Sequence, residues 1–216
     1  MLRSAAYVSP LAAGRRPCGR QVTPLAVRAS AEPGRRSVVL HSNAALLLAS
    51  LLHLGGARPS GLGVQRFGAV STLALCPRSP ECISTSEEAN DAARYVPPWT
   101  YARSEESVKR GLDKPAISRG DAMAQLVAVV EATTPDGWQP KVAKQQGDEY
   151  LYVEYTSPVL GLVDDVEFFL PPGEAGRVEY RSASRTQLPL GGDVNRKRIR
   201  TLREALQKKG WRSVGF

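Results

Sequence analysis

Three acidic side chains, Asp164, Asp165 and Glu167, lie close together in a stretch where apolar and polar residues alternate. Carboxylates at this spacing can gather a hard cation such as Ca²⁺ or Mg²⁺, or supply the acid and base of a hydrolase. Alternation along a strand places Asp165 and Glu167 on one face and Asp164 on the other. The three carboxylates therefore do not converge on one point, and the spacing favours charge pairing with a neighbouring strand.

Basic partners for these carboxylates occur in the next predicted strand. If the intervening turn places Glu167 beside Arg181, the two side chains form a cross-strand charge pair. Arg185 shares the outer face with Arg181. Asp164 points inward and needs a partner if it is buried, and Arg185 or the basic helix near the end of the chain can supply one.

A second polar cluster runs from Asn195 to Arg200 and continues at Arg203. Its basic residues could form a nucleic-acid or anionic-lipid surface. No base-stacking aromatic residue is interleaved, which favours a solvated helix face whose arginines pair with carboxylates of the sheet. Basic residues in a first helical turn oppose the helix dipole, so we expect some of them to have specific anionic partners. No nucleic-acid partner is expected.

Several kinds of catalytic chemistry are missing from the predicted folded part. Both histidines, His41 and His53, lie in the N-terminal leader, which excludes Ser-His-acid and Cys-His systems and His-containing zinc sites beyond it. The sequence also lacks a Gly-x-Ser-x-Gly elbow, a phosphate-binding loop and a dinucleotide fingerprint. No cofactor or metal is expected, and the sequence favours a non-enzymatic protein without deciding the point.

The elements that position these residues follow from local signals. Ser118 and Asp121 form a capping box that begins a helix, and the segment 133–137 ends it. Four strands are predicted at 138–144, 150–157, 162–170 and 177–185, followed by a helix from about 194 to 209. This order predicts an α+β core domain over 118–216, with an antiparallel sheet of about four strands and two helices on one face. A long irregular arm over 71–117 precedes it.

Charge divides the chain into a leader and a neutral remainder. The first 70 residues contain nine Arg, no Lys and one acid, Glu32, whereas the rest contains 20 basic and 20 acidic residues. Arg-rich, Ser- and Ala-rich sequence with almost no acid is typical of an organelle transit peptide. We therefore interpret residues 1–30 as a plastid transit peptide.

A second targeting signal is predicted over 31–70. Arg35-Arg36 precede an apolar run over 44–54 and the small residues Gly55-Gly56-Ala57, the order of a twin-arginine export signal and spacer. The alternatives are a membrane anchor, for which 11 apolar residues are short of the roughly 20 needed, and a chance Arg pair. The two signals together predict the thylakoid lumen. The second cleavage falls after Ala57, or nearer Ala69 or Ala74.

Two cysteines remain beyond the leader, Cys76 and Cys82, separated by a segment with two prolines. The prolines favour a compact bend, and an oxidising compartment such as the lumen lets a disulfide persist. We therefore predict a Cys76–Cys82 disulfide. The alternative is a metal pair, for which no further ligands are evident.

Four segments in order, at 76–84, 163–168, 181–185 and 195–199, resemble the domain-of-unknown-function family 1499 of bacteria and photosynthetic eukaryotes. The resemblance covers roughly residues 75–209 and implies no established reaction. It implies that the family's polar motif residues come together at a sheet edge, or form a buried network between helix and sheet. These candidate site residues are Asp164, Asp165, Glu167, Arg181, Ser182, Ser184, Arg185, Asn195, Arg196 and Arg198.

The predicted function is that of a soluble lumen protein that binds another lumen or thylakoid-membrane protein, as an assembly or accessory factor for a photosynthetic complex. No membrane span is expected in the mature protein. Two alternatives stay open: a small-molecule or lipid-binding domain, and a carboxylate-dependent hydrolase that uses Asp164, Asp165 or Glu167. A pocket lined by the clustered Arg and Asp residues would favour the alternatives, whereas a filled core with an exposed apolar patch would favour partner binding.

Overall fold

A computed structural model of the protein describes residues 55–78, 81–102, 109, 117–173, 176–186 and 193–213. The chain separates into two units, Met1–His41 and Ser42–Phe216, and every described residue belongs to the second. The transit peptide predicted over 1–30 and the Arg35-Arg36 pair lie outside the described residues. Within the described part, no helix is long and apolar enough to cross a bilayer.

The described residues form short strands, longer strands and two helices. In chain order, their bounds are β1 (Val64–Phe67), β2 (Val70–Leu73), β3 (Cys82–Ser84), β4 (Trp99–Thr100), α1 (Arg119–Ala132), β5 (Gln139–Gln146), β6 (Tyr150–Thr156), β7 (Val163–Phe169), β8 (Arg177–Ser184), α2 (Val194–Gln207) and β9 (Arg212–Ser213).

The strands form an antiparallel sheet and a separate hairpin. Strands β5-β6-β7-β8-β4-β9 follow one another across a seven-stranded sheet, in which β3 also pairs with β8, while β1 and β2 pair only with each other. Strands β3 and β4 occupy one edge of β8 in succession, because Ser84 pairs with Arg181 and Trp99 pairs with Val178.

The α+β class, the antiparallel sheet and the two helices are confirmed, but the sheet has seven strands in the described part of the chain and not about four. The additional strands are β3, β4 and β9, each two or three residues long. Strands this short show no alternation that a sequence pattern can detect, and they form because β8 and β4 offer unpaired backbone groups. Part of the predicted irregular arm over 71–117 therefore belongs to the sheet.

Both helices begin and pack as their sequences indicate. The Ser118 hydroxyl accepts a hydrogen bond from the Asp121 backbone N–H, which caps the first turn of α1, and it donates one to the Asp121 carboxylate. Helix α2 buries Ile199, Leu202 and Leu206. Its apolar stripe and that of α1 join the inward side chains of β6, β7 and β8 in one hydrophobic core.

The opposite face of the sheet is also covered. The β1–β2 hairpin packs there, and Leu73, which is 1% exposed, joins Tyr150, Tyr152 and Phe169 in a second apolar cluster. The segment that precedes the hairpin also contacts the sheet, since Arg58 binds Glu154. Residues 58–70, placed by sequence in the targeting segment and its spacer, are thus part of the folded domain.

Candidate functional site

One group of candidate residues lies between the sheet and α2. We call Asp164, Ser182, Ser184, Asn195 and Arg198 the inner network. Arg198 donates to the Asp164 carboxylate at 2.7 Å and to Asn195 Oδ1 at 2.9 Å. The Ser182 hydroxyl donates to the same Asn195 oxygen at 2.6 Å, and Asn195 Nδ2 donates to Ser184 Oγ at 3.1 Å. These bonds connect two strands, β7 and β8, to the first turns of α2.

The Arg198 guanidinium also lies between two aromatic rings. Its Cζ is 4.9 Å from the centre of the Trp138 ring and 4.7 Å from that of Tyr155. Such placement adds cation–π attraction to the ion pair. Arg198 is 0% exposed, so Asp164 and the two rings compensate its charge inside the fold, while its Nε is buried without a hydrogen-bond partner among the described residues.

A second group of candidate residues lies on the opposite face. We call Asp165, Glu167, Arg181 and Arg185, with the side chains bound to them, the outer network. Arg185 Nε donates to the Asp165 carboxylate at 3.0 Å, and its terminal nitrogen donates to Glu154 at 2.5 Å. The Tyr152 hydroxyl donates to Asp165 at 2.6 Å.

The other half of the outer network is centred on Glu167. Arg181 donates twice to one Glu167 oxygen, at 2.8 and 2.5 Å. The second Glu167 oxygen accepts from the Tyr150 hydroxyl at 2.6 Å and from the Gly63 backbone N–H at 2.5 Å. Arg181 also donates to the Leu75 carbonyl. The segment over 58–75 therefore supplies polar partners to the outer network as well as apolar cover.

Electrostatics within the outer network favour the charged forms of Glu154 and Arg185. Burial alone would raise the pKa of Glu154, but hydrogen bonds from Arg58, Arg185 and Tyr152 outweigh it and lower the pKa to about 2. Burial opposes the charge of Arg185, yet its bonds to Asp165 and Glu154 raise its pKa. Burial is the largest cause of a raised pKa at Tyr152, and the hydrogen bond to Asp165 is the next largest. The Tyr152 hydroxyl therefore stays protonated and acts as a hydrogen-bond donor.

The ten candidate residues thus do not converge on one site. Nine of them divide between the inner and outer networks on opposite faces of the sheet, as the alternation of β7 and β8 requires. Arg196 belongs to neither, and instead contacts the Ala93 carbonyl and Asp193. The structure joins Glu167 to Arg181 as the sequence predicted. Of the two partners considered for Asp164, it shows the basic helix, through Arg198, and not Arg185, which binds Asp165 on the other face.

Sequence reasoning missed the burial of the outer network. It placed the Glu167–Arg181 pair on an outer face of the sheet, whereas both side chains are buried beneath the hairpin and the chain around it. A usable signal is present in β6, where Tyr150, Tyr152 and Glu154 alternate on one face, and Tyr152 and Glu154 lie directly opposite Glu167 and Asp165 of β7. Tyrosines directly opposite carboxylates indicate a face that is polar but excluded from water.

The chemistry open to these groups is limited because they bind one another. Asp164, Asp165 and Glu167 each accept hydrogen bonds from an arginine, and the two outer acids accept from a tyrosine as well. Within the described residues, no group of three His, Cys, Asp or Glu side chains is placed to hold a metal ion. The arrangement links secondary-structure elements and leaves these carboxylates without an open position for a substrate.

The disulfide predicted between Cys76 and Cys82 is confirmed, with a Cα–Cα distance of 5.7 Å. It closes the bend between the hairpin and β3. The Cys76 backbone N–H donates to the buried carboxylate of Glu87 at 2.6 Å. This bend is therefore fixed by a covalent link and by a charge-assisted hydrogen bond.

Two concave surfaces lie outside the networks. A crevice of about 590 Å³ runs beside the hairpin, and Phe67, Leu73 and Leu75 are among its apolar lining residues. A smaller groove of about 50 Å³ lies between α2 and the β3–β4 connection. It is lined by Ile83, Val96, Tyr180, Arg196, Ile199, Arg200 and Arg203.

The fold and its networks define an α+β domain whose polar motif residues are structural partners of one another. A family model described as protein of unknown function (DUF1499) matches residues 72–206. The chain belongs to this family. The matched span includes both networks except Arg58 and Gly63, which lie upstream of it. A search of curated proteins found no match.

Proposed function

We propose that this protein is a non-enzymatic binding protein of the thylakoid lumen. It docks onto another lumen or thylakoid-membrane protein as an assembly or accessory factor for a photosynthetic complex. The export signals support the compartment, and the exposed apolar surface beside the hairpin supports the binding role. The family model matches residues 72–206, and its description, protein of unknown function, names no reaction.

The observation that carries the binding role is the exposure of apolar side chains at the hairpin. Phe67 is 68% exposed, its strand partner Val70 is 62% exposed and Leu75 is 48% exposed. Phe67 and Leu75 also line the adjoining crevice. Clustered large apolar side chains next to a concave surface are typical of protein-binding sites. A partner that buries them gains the hydrophobic free energy that the isolated domain leaves unused.

The state of the acidic residues argues against a carboxylate-dependent hydrolase. A general base needs a free lone pair that faces its substrate. Asp164 is 2% exposed and lies against Arg198, and Glu167 is enclosed by Arg181, Tyr150 and Gly63. A hydrolytic role for these groups would require the networks to open.

The test compares two charged double variants in chloroplasts. Phe67→Asp/Val70→Asp places carboxylates on the proposed docking surface. Val159→Asp/Leu160→Asp makes the same change at another exposed apolar pair, in the turn between β6 and β7, and is the matched control. Lumen and solubilised thylakoid fractions are run on native gels and probed for the chain.

The wild-type and control proteins are expected to migrate with a photosynthetic complex, and the Phe67/Val70 variant at its monomer size. Migration of the wild type at its monomer size would overturn the binding role. Retention of the complex by the Phe67/Val70 variant would overturn the assigned surface. Recovery of the protein outside the lumen would overturn the compartment.

A second candidate function, small-molecule or lipid binding, is favoured by the groove beside α2. Three arginines border an apolar floor there, which suits a carboxylate attached to a short apolar chain. Its volume of about 50 Å³ accommodates only part of a ligand, so we rank this function below partner binding. A rise in melting temperature with decanoate, absent in Arg200→Ala, would support it, and no shift in the wild type would count against it.

A further inference from the structure

We propose that the lumenal processing enzyme hydrolyses the peptide bond between Ala57 and Arg58, so that the mature chain begins at Arg58. This inference rests on the proposed function, because it requires delivery to the lumen. It selects one among the three cleavage positions that the sequence leaves open. The three positions differ in the residues that precede the cut and in the contacts that the folded domain would lose after it.

The sequence around each alanine distinguishes the three positions. Peptidases that remove export signals require small residues one and three positions before the cut. Cleavage after Ala57 presents Gly55 at the third position, directly after the apolar run over 44–54. Cleavage after Ala69 would present the large aromatic side chain of Phe67 there. Cleavage after Ala74 would present Thr72 there, which is small enough to satisfy the rule, so the structure must decide between Ala57 and Ala74.

The chain around Ala74 is built into the domain. Leu73 is 1% exposed and belongs to the apolar cluster beneath the hairpin. The Thr72 hydroxyl donates to Glu179 at 2.8 Å, and its strand pairs with β1. A peptidase needs an extended stretch of substrate in its own cleft, and here it would have to remove β2 from the domain. Ala57 and Arg58 are both exposed in the folded structure, so the bond between them is open to solvent.

The domain also loses internal partners if the cut falls later. Arg58 donates to Glu154 at 2.8 Å and lies over the Tyr152 ring at 5.3 Å. Gly63 donates its backbone N–H to the buried Glu167 carboxylate. Cleavage after Ala74 would remove both groups and Leu73, and would leave a buried acid short of a donor. Cleavage before Arg58 retains all of them.

The reaction is a simple hydrolysis. Water adds across the amide, Ala57 departs with the leader as a carboxylate, and Arg58 acquires a free α-amino group that is protonated at neutral pH. No redox change or further reactant is involved. The new positive charge falls on a residue whose side chain is bound to Glu154.

The experiment determines the N-terminus of the protein recovered from chloroplasts that import the full-length precursor. N-terminal sequencing and intact mass are measured for the wild type, for Ala57→Leu and for Ala69→Leu. Both alanines are exposed, so both variants make the same change on the surface. Residue 57 is preferred over Gly56, because a Cβ at position 56 would lie 3.0 Å from the Cβ of Arg185.

The wild-type and Ala69→Leu proteins are expected to begin at Arg58, and Ala57→Leu is expected to accumulate in a larger form. A wild-type N-terminus at Val70, at Leu75 or at any other lumenal position would overturn the inference and leave lumen delivery intact. An N-terminus near residue 31 in the thylakoid membrane would also overturn it, since the signal would then be an uncut anchor. The same N-terminus in the stroma would overturn the proposed compartment as well.

Discussion

The Arg198 guanidinium on α2 lies 2.7 Å from the Asp164 carboxylate on β7, and neither side chain reaches solvent appreciably. A helix thus contacts its sheet through an ion pair surrounded by apolar side chains. Such a pair contributes little net stability compared with a well-packed apolar pair, but the loss of one member leaves the other charged and buried. Replacing one member of the Arg198–Asp164 pair should therefore destabilise the domain more than replacing both members together.

The stability of the domain should depend on the protonation of Glu154. Its pKa is about 2 in the folded state and about 4.5 ordinarily. Because the folded-state pKa is the lower one, the ionised carboxylate stabilises the fold above about pH 4.5, and the contribution is lost as the pH falls toward 2. In Glu154→Gln, the melting temperature should decline less over this interval than in the wild type.

The matched control for that measurement is Glu131→Gln, on the exposed surface of α1. Its melting temperature should follow the wild-type pH profile. Equal declines in the wild type and Glu154→Gln would show that the bonds from Arg58 and Arg185 do not stabilise the fold.

The Cys76–Cys82 disulfide should stabilise the domain modestly. The two cysteines are six positions apart in the sequence. Closing so short a loop lowers the entropy of the unfolded chain, and this stabilises the folded state by about 2 kcal/mol. Denaturant unfolding of the Cys76→Ser/Cys82→Ser variant should show a loss near this size. Addition of a reductant should destabilise the wild type equally and leave the variant unchanged. A reductant effect of the same size in the variant would refute this assignment.

Gly176 should be the less replaceable of two glycines in the β7–β8 connection. Both Gly173 and Gly176 have positive φ, 83° and 76°, where an alanine costs about 1–2 kcal/mol. A Cβ at Gly176 would also lie 2.6 Å from the backbone nitrogen of Ala102, whereas no atom of the described residues lies within 4 Å of one at Gly173. Gly176→Ala should therefore lose at least about 1 kcal/mol more than Gly173→Ala in denaturant unfolding. Equal losses of unfolding free energy in the two variants would show that the backbone at Ala102 can move away from the added Cβ without destabilising the fold.

Much of the core could be predicted because its elements carry periodic signals. The capping box at Ser118 marks the start of α1, and the stripe of Ile199, Leu202 and Leu206 marks the buried face of α2. Strict alternation in β7 correctly separates Asp164 from Asp165. The small loop bounded by Cys76 and Cys82 identified the disulfide.

The short strands, the hairpin and the burial of the outer network could not be predicted from the sequence, because they depend on contacts between segments that are distant in the chain. Strands β3 and β4 are two or three residues long in a Pro- and Ser-rich segment, and only β8 makes them strands. The hairpin lies in sequence that resembles a spacer, and nothing local shows that it covers a sheet face. The sequence therefore places these carboxylates and arginines on an outer face, with no sign that Gly63 and Leu75 bind and cover them.

A double-mutant cycle on Asp164 and Arg198 tests whether the polar motif joins α2 to the sheet. Unfolding free energies are measured for the wild type, Asp164→Asn, Arg198→Met and the double variant. Arg200→Met, at an exposed position of the same helix, is the control.

Arg198→Met should lose about 3–5 kcal/mol, because it leaves Asp164 buried without its cation. The control should change by less than about 0.5 kcal/mol. The double variant should lose less than the sum of the single ones, with a coupling energy of about 1–3 kcal/mol. A coupling near zero, or a gain in stability from Arg198→Met, would contradict the account, because residues kept for a ligand or a reaction commonly reduce stability.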